Sequence, residues 1–131
     1  MDYLDLIFIL FIHFVADFIF QSRQMGVKKG RNIYWLTTHV YVYSIITFIG
    51  WGLFFKLTPR MSFELLTLTI LTHFLTDFIT SKLSSRFYLK SKKSKSLKEA
   101  NYFEWLFWST IGIDQLIHAT TLILTFKYIF S

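Results

Sequence analysis

Four apolar runs, at 3–20, 33–55, 61–79 and 102–129, fill most of this 131-residue chain. Each is close to the roughly 20 residues that an α-helix needs to cross a bilayer. The chain is 53% hydrophobic and 21% aromatic, with sixteen Phe and a single Pro, a balance outside the habit of a small water-soluble domain. With their flanks the runs predict spans at 3–21, 33–55, 61–82 and 103–129, joined on one side by basic connections at 22–32 and 83–101. The expected fold is therefore all-α: an integral membrane four-helix bundle forming one domain over residues 1–131. The opening MDYLDLIFIL has neither a basic leader nor a small-residue cleavage site, so the first run is expected to stay in the membrane rather than be removed. The absence of cysteine removes disulfides, thiolate ligands and thiol nucleophiles together.

Charge supplies the expected orientation. Arg23, Lys28, Lys29 and Arg31 fall in the first connection, and Lys82, Arg86, Lys90, Lys92, Lys93, Lys95 and Lys98 at or in the third. The middle connection carries only Lys56 and Arg60. By the positive-inside tendency both basic connections face the cytoplasm and both termini face out, as in a bacterial inner membrane protein. The run KSKKSKSLK reads first as a solvated loop carrying that topology signal, and secondly as an attraction for anionic lipid headgroups or a phosphorylated substrate. It lacks the interleaved aromatics of a nucleic-acid surface, and no nucleic-acid partner is expected.

The polar residues inside the runs repeat. A shift of sixty residues sets HFVADFI (13–19) over HFLTDFI (73–79), identical at five of seven positions, so the halves look like copies of one helical hairpin. Each copy has a further histidine on its second helix, His39 and His118, and the fourth run adds Asp114 in DQLIH, the same spacing reversed. Residues four apart share a helix face, so His13 with Asp17, His73 with Asp77 and His118 with Asp114 each point an imidazole and a carboxylate the same way. At 1.5 Å per residue, Asp17 and Asp77 lie roughly 6 Å, His13 and His73 roughly 12 Å, and His39 about 10 Å from the cytoplasmic ends of their helices. Asp114 and His118 join that layer if the embedded part of the fourth helix starts near Phe107.

Three aspartates in membrane spans cost up to about 8–10 kcal/mol together on insertion scales, while a membrane hydrogen bond returns only about 0.6 kcal/mol. A divalent cation offsets more of that cost, because it neutralises carboxylates and takes imidazole nitrogens as ligands. The expected metal ligands are His13, Asp17, His39, His73, Asp77, Asp114 and His118, around one or two ions, with zinc first and manganese or iron as alternatives. A proton or cation pathway, haem held by His13 and His73, and a structural network remain open as other uses of the same layer. Around it, Asp114, Gln21 and Lys82 are the candidate catalytic groups, and Lys28 or Lys29 is placed to close over the cytoplasmic mouth. Tyr43 and Gln115 adjoin the layer, and Trp35, Trp51, Trp105 and Trp108 read as interfacial anchors. Gly50, Gly52 and Gly112 are candidate close-packing points for a homo-oligomer.

Taken in order, HFVADFIFQ, the lysine pair, His39, HFLTDFITSK and DQLIH resemble the pattern of domain-of-unknown-function family 3307, small polytopic membrane proteins of bacteria and their phages, over nearly the whole chain. The resemblance implies a membrane protein and no particular activity. The intramembrane His and Asp residues are also similar in style to membrane-bound metal-dependent hydrolases, although TTH at 37–39 does not match the H-x-x-x-T-H-S elements of those enzymes. The function expected from the residues is a membrane-embedded metal-dependent hydrolase acting from the cytoplasmic side on an amphiphilic or phosphorylated substrate. A cation or proton transport subunit and a structural metal- or haem-binding subunit are the alternatives.

Overall fold

Every helix starts where a short polar side chain can accept from the first free backbone N–H groups. The computed structural model describes residues 1–131 and is all-helical. Asp2 and Asp5 form a reciprocal capping box at the head of α1 (Tyr3–Phe14). Ser22 caps the short α2 (Arg23–Lys28) and Asn32 caps α3 (Ile33–Phe54). Thr58, followed by Pro59 in the first turn, starts α4 (Pro59–Lys93), and Ser96 starts α5 (Leu97–Ile129). The long helices alternate in direction, and α1 packs on α3, α3 on α4, α4 on α5 and α5 on α1, which closes a four-membered ring.

Two expectations about the connections are corrected. The segment 83–101 is not a loop: α4 runs to Lys93 and α5 begins at Leu97. The basic stretch stays helical because aromatic side chains couple the two helices beyond the apolar runs, with Phe87 against Phe103 and Tyr88 against Phe107. Lys90, Lys92 and Lys93 in the last turn of α4 also complement the negative end of its dipole. The connection 22–32 likewise contains α2.

The repeat is not conformationally exact. Between α1 and α2, Val15–Ile19 form a π-helical turn closed by a bond from Phe20 N–H to Val15 C=O, whereas 73–79 is regular α-helix inside α4. The chain then breaks at Phe20 to enter α2, while α4 continues straight through the corresponding position.

Polarity is distributed inside out. Fourteen of the twenty-six buried residues are polar or charged, and the exterior carries exposed Phe, Leu, Ile, Tyr and Trp along all four long elements. At the end holding both termini, Ile9, Trp51, Leu65, Leu122, Phe126 and Ile129 form an apolar plug. Trp51 is fully buried there against Phe55 and Phe126, not at an interface as its position near a span end suggested. Trp105 and Trp108 are exposed. Gly50 admits Ile12 of α1, which would lie 2.8 Å from an added Cβ, while Gly52 and Gly112 face open space. By length and composition α3 and α4 are each able to cross a membrane.

Candidate metal centre

The polar interior gathers in a layer between the plug and the basic end. His73 and Asp77, one turn apart on regular α4, both point into it, with His73 Nε2 3.6 Å from Asp77 Oδ2. His118 and Asp114 do the same from α5, with His118 Nε2 3.5 Å from Asp114 Oδ1. The π turn separates the third pair. Asp17 turns to His39, Oδ1 to Nε2 3.1 Å, while His13 hydrogen-bonds through Nδ1 to the Tyr43 hydroxyl at 2.9 Å and through Nε2 to Gln115 Oε1 at 3.1 Å.

Six of the seven expected ligands therefore converge. Asp17, His39 and His73 form one group, His73, Asp77 and His118 a second, and Asp17, Asp114 and His118 a third, each offering ligand atoms within 4.8 Å of one another, and all are buried. In the first group the separations are 3.1 Å (Asp17–His39), 3.0 Å (His39–His73) and 3.7 Å (Asp17–His73). Ligands about 2.1 Å from one ion stand about 3.0 Å apart at an octahedral corner and about 3.4 Å apart in a tetrahedron, so the spacing suits N and O donors sharing a divalent cation. His13 is the ligand that this layer leaves out. Its role is to fix Tyr43, whose ring stacks on His73 at 3.7 Å, and Gln115.

Asp17 Oδ1, His39 Nδ1 and His73 Nδ1 are buried polar atoms of the layer without a hydrogen-bond partner, and the carboxylate oxygen is the one that carries charge. It is buried and accepts no hydrogen bond, although two imidazole nitrogens lie near it. Between His39 Nε2 and His73 Nε2, 3.0 Å apart, one proton at most fits. The other carboxylate oxygens are held: Gln115 Nε2 donates to Asp17 Oδ2 at 2.8 Å and to Asp114 Oδ2 at 3.1 Å, and the Thr80 hydroxyl donates to Asp114 Oδ1.

A lysine enters the same layer. Lys29 Nζ donates to Asp77 Oδ2 at 2.9 Å and lies 3.2 Å from His39 Nε2. Burial opposes its charge, but Asp77, Asp17 and Asp114 outweigh burial and raise its pKa above the ordinary lysine value. Gly30 makes that reach available: an added Cβ there would collide with the Ser81 carbonyl and the Ser85 hydroxyl of α4. Lys28, the other member of the pair, lies over the Trp35 ring at 5.2 Å instead.

From this floor a cavity of about 380 Å³ opens toward the basic end. Asp17, Asp77, Asp114 and Lys29 lie at its base, and Gln21 and Arg31 are on its wall. The wall also includes Thr80, Ser81, Ser84, Ser85 and Tyr88, a polar stripe that continues the face of Asp77 along α4. Sequence reading passed over that stripe, although its spacing of three and four residues from Asp77 carried the signal. Lys82 lies outside the cavity with its ammonium 3.4 Å from the Phe78 ring centre, so it does not share the space of Asp114 and Gln21.

No curated protein and no solved structure matches this chain. Residues 6–131 match the family described as "Protein of unknown function (DUF3307)", and with nearly its whole length inside that match, the chain belongs to this family.

Proposed function

We propose that this protein is a membrane-embedded divalent-metal hydrolase whose Asp and His centre acts on an anionic amphiphile admitted from the basic end. The observation that carries the metal is Asp17 Oδ1, a buried carboxylate oxygen without a donor, facing two imidazole nitrogens at ligand-to-ligand spacing. A buried ionised group left in that state is costly, and a cation shared with His39 and His73 removes the deficit. The nitrogen and oxygen donor set suits zinc, with manganese and iron also acceptable, and the overlapping groups have room for one or two ions.

Placement in a membrane is supported by the apolar exterior and by two helices of spanning length and composition. Extending the span to all four long elements, with the basic connections cytoplasmic and the termini outside, follows from the charge asymmetry. The apolar cluster at the end opposite the cavity supports a hydrolase over a transport subunit. Beyond the histidines, past the buried hydroxyls of Ser44, Thr47 and Thr69, lies the apolar plug of Trp51, Leu65, Leu122 and Phe126.

A divalent ion in such a centre supplies a water of lowered pKa and polarises the bond to be cleaved. Asp114, held by Thr80 and Gln115 at the cavity floor, is the group assigned to take the proton. Gln21 and Arg31 on the wall are assigned to the polar part of the substrate, and Phe18, Phe107 and Ile111 to its apolar part.

The test is elemental analysis by mass spectrometry of detergent-purified protein beside an Asp17→Asn/Asp77→Asn variant, followed by an assay on phosphoester lipids. One or two equivalents of metal are expected in the wild type and none in the variant. Asp114→Asn is expected to keep an ion at Asp17, His39 and His73 while losing about 10²-fold or more in turnover. Metal-free wild-type protein with a variant of unchanged stability removes the proposal.

A further inference from the structure

A second cleft, of about 290 Å³, lies beside the first, bounded by Gly30, Arg31, Lys82, Ser85, Arg86 and Leu89. Three of its six residues are cations and none is an acid. The side-chain ion pairs made by lysine and arginine in this chain are Lys29–Asp77 and Arg60–Glu64, so Arg31, Lys82 and Arg86 have no carboxylate partner. Like charges gathered on one concave wall repel unless an anion joins them. The close approach of Gly30 to the Ser81 carbonyl seats Arg31 against α4, and the Phe78 ring holds the Lys82 ammonium.

Depth identifies the kind of anion. The apolar run of α4 ends at Ile79. At 1.5 Å per residue Lys82 stands about 4.5 Å and Arg86 about 10 Å beyond that point, across and just past a headgroup layer about 5–7 Å thick on each side of the hydrocarbon. Arg31 and Ser85 line both clefts, so an anion seated here lies at the mouth of the cavity that holds the carboxylates.

We propose that Arg31, Lys82 and Arg86 form a binding site for a phosphate-bearing group at the membrane surface, with the phosphate of an anionic lipid headgroup as the occupant that the depth favours. Arg86 and Arg31 present forked donors suited to phosphate oxygens, and Lys82 adds a point charge. The site rests on the membrane placement proposed above and on its own charge and shape, whether or not a metal binds below it.

Native mass spectrometry of detergent-purified protein titrated with phosphatidylglycerol, with diacylglycerol of the same chains, and with inorganic phosphate tests the site. Wild-type protein is expected to retain phosphatidylglycerol and not diacylglycerol. Lys82→Gln/Arg86→Gln is expected to weaken retention about thirtyfold, the effect of removing two interfacial cations. Lys82→Arg/Arg86→Lys, which keeps the charge, retains it and separates loss of the site from loss of the fold. Displacement of the lipid by millimolar phosphate also supports the site and identifies free phosphate as a second source. The proposal is overturned by equal retention of diacylglycerol, or by no loss in the glutamine variant. An equal loss in Lys92→Gln/Lys95→Gln, which removes the same charge outside the cleft, overturns it as well. Metal content should not change in any of these variants, so the outcome is distinguishable from failure of the metal centre.

Discussion

Lys29 is the residue on which the chemistry of the centre turns. Its ammonium already serves as a cation for Asp77 and touches His39 Nε2, the same atoms that a divalent ion requires. With its pKa raised by the surrounding carboxylates, Lys29 stays charged through neutral pH. Its stabilising contribution is complete below the ordinary lysine value and is lost only as pH rises through the higher folded value, so a shift in pH does not free the site under mild conditions. Displacement by a metal does. Lys29→Gln is therefore expected to raise affinity for zinc by about tenfold or more, since two charges a few ångströms apart interact by well over 1.4 kcal/mol at partial burial. Competition with a chromophoric chelator measures this, and weaker zinc binding in the variant would show that Lys29 supports the ion rather than competes with it. Thr80 acts in the opposite sense. Its hydroxyl is one of two donors to Asp114, and Thr80→Val should cost about 1–3 kcal/mol by leaving a buried carboxylate oxygen unpaired, read as a lowered melting temperature.

At the scale of elements, the joint between α2 and α3 decides whether Lys29 and Arg31 reach the interior. A methyl at Gly30 would meet backbone atoms of Ser81, which cannot rotate away, so Gly30→Ala is expected to lift the joint off α4. The loss should be about 1–3 kcal/mol, with the Lys29–Asp77 pair broken. Adding Ser85→Ala should restore little, because the carbonyl of Ser81 remains; full recovery of the melting temperature would instead place the clash on the hydroxyl alone. How far such elements could be read in advance depended on the range of the forces that set them. The apolar runs and the His-x3-Asp spacing are local, and they led to the four long helices and to six of the residues that converge in the polar layer. The helical extension over 83–101 was hidden because lysine and serine report solvation, while Phe87 and Phe103 act only once the hairpin has closed. The π turn was hidden for a related reason: HFVADFI and HFLTDFI are nearly identical, and nothing in the first copy's own seven residues marks the π turn that sets Asp17 and His13 on different partners.

For the whole molecule, the arrangement is a bundle with a polar pit at one end and an apolar stopper at the other. The pit, lined by Ser84 and Ser85, has the carboxylates at its base, and the stopper lies between them and the termini. On the proposed membrane placement, a site at this end would exchange ligand with one side only. Because the chain has no cysteine, single introduced thiols report that access without background. Ser84 is half-buried on the cavity wall and Lys56 is exposed at the plugged end, so Ser84→Cys and Lys56→Cys mark the two faces. In sealed vesicles a membrane-impermeant maleimide is expected to label Ser84→Cys only from the face that carries the basic helix ends, and Lys56→Cys only from the other. Thr47→Cys, buried on α3 between the imidazoles and the plug, should stay unlabelled from both. Adding zinc should leave labelling at Lys56→Cys unchanged. Labelling of Thr47→Cys from the plugged face would mean that the stopper opens, which would favour reading the same Asp and His layer as a station on a path through the membrane over the catalytic pit proposed above.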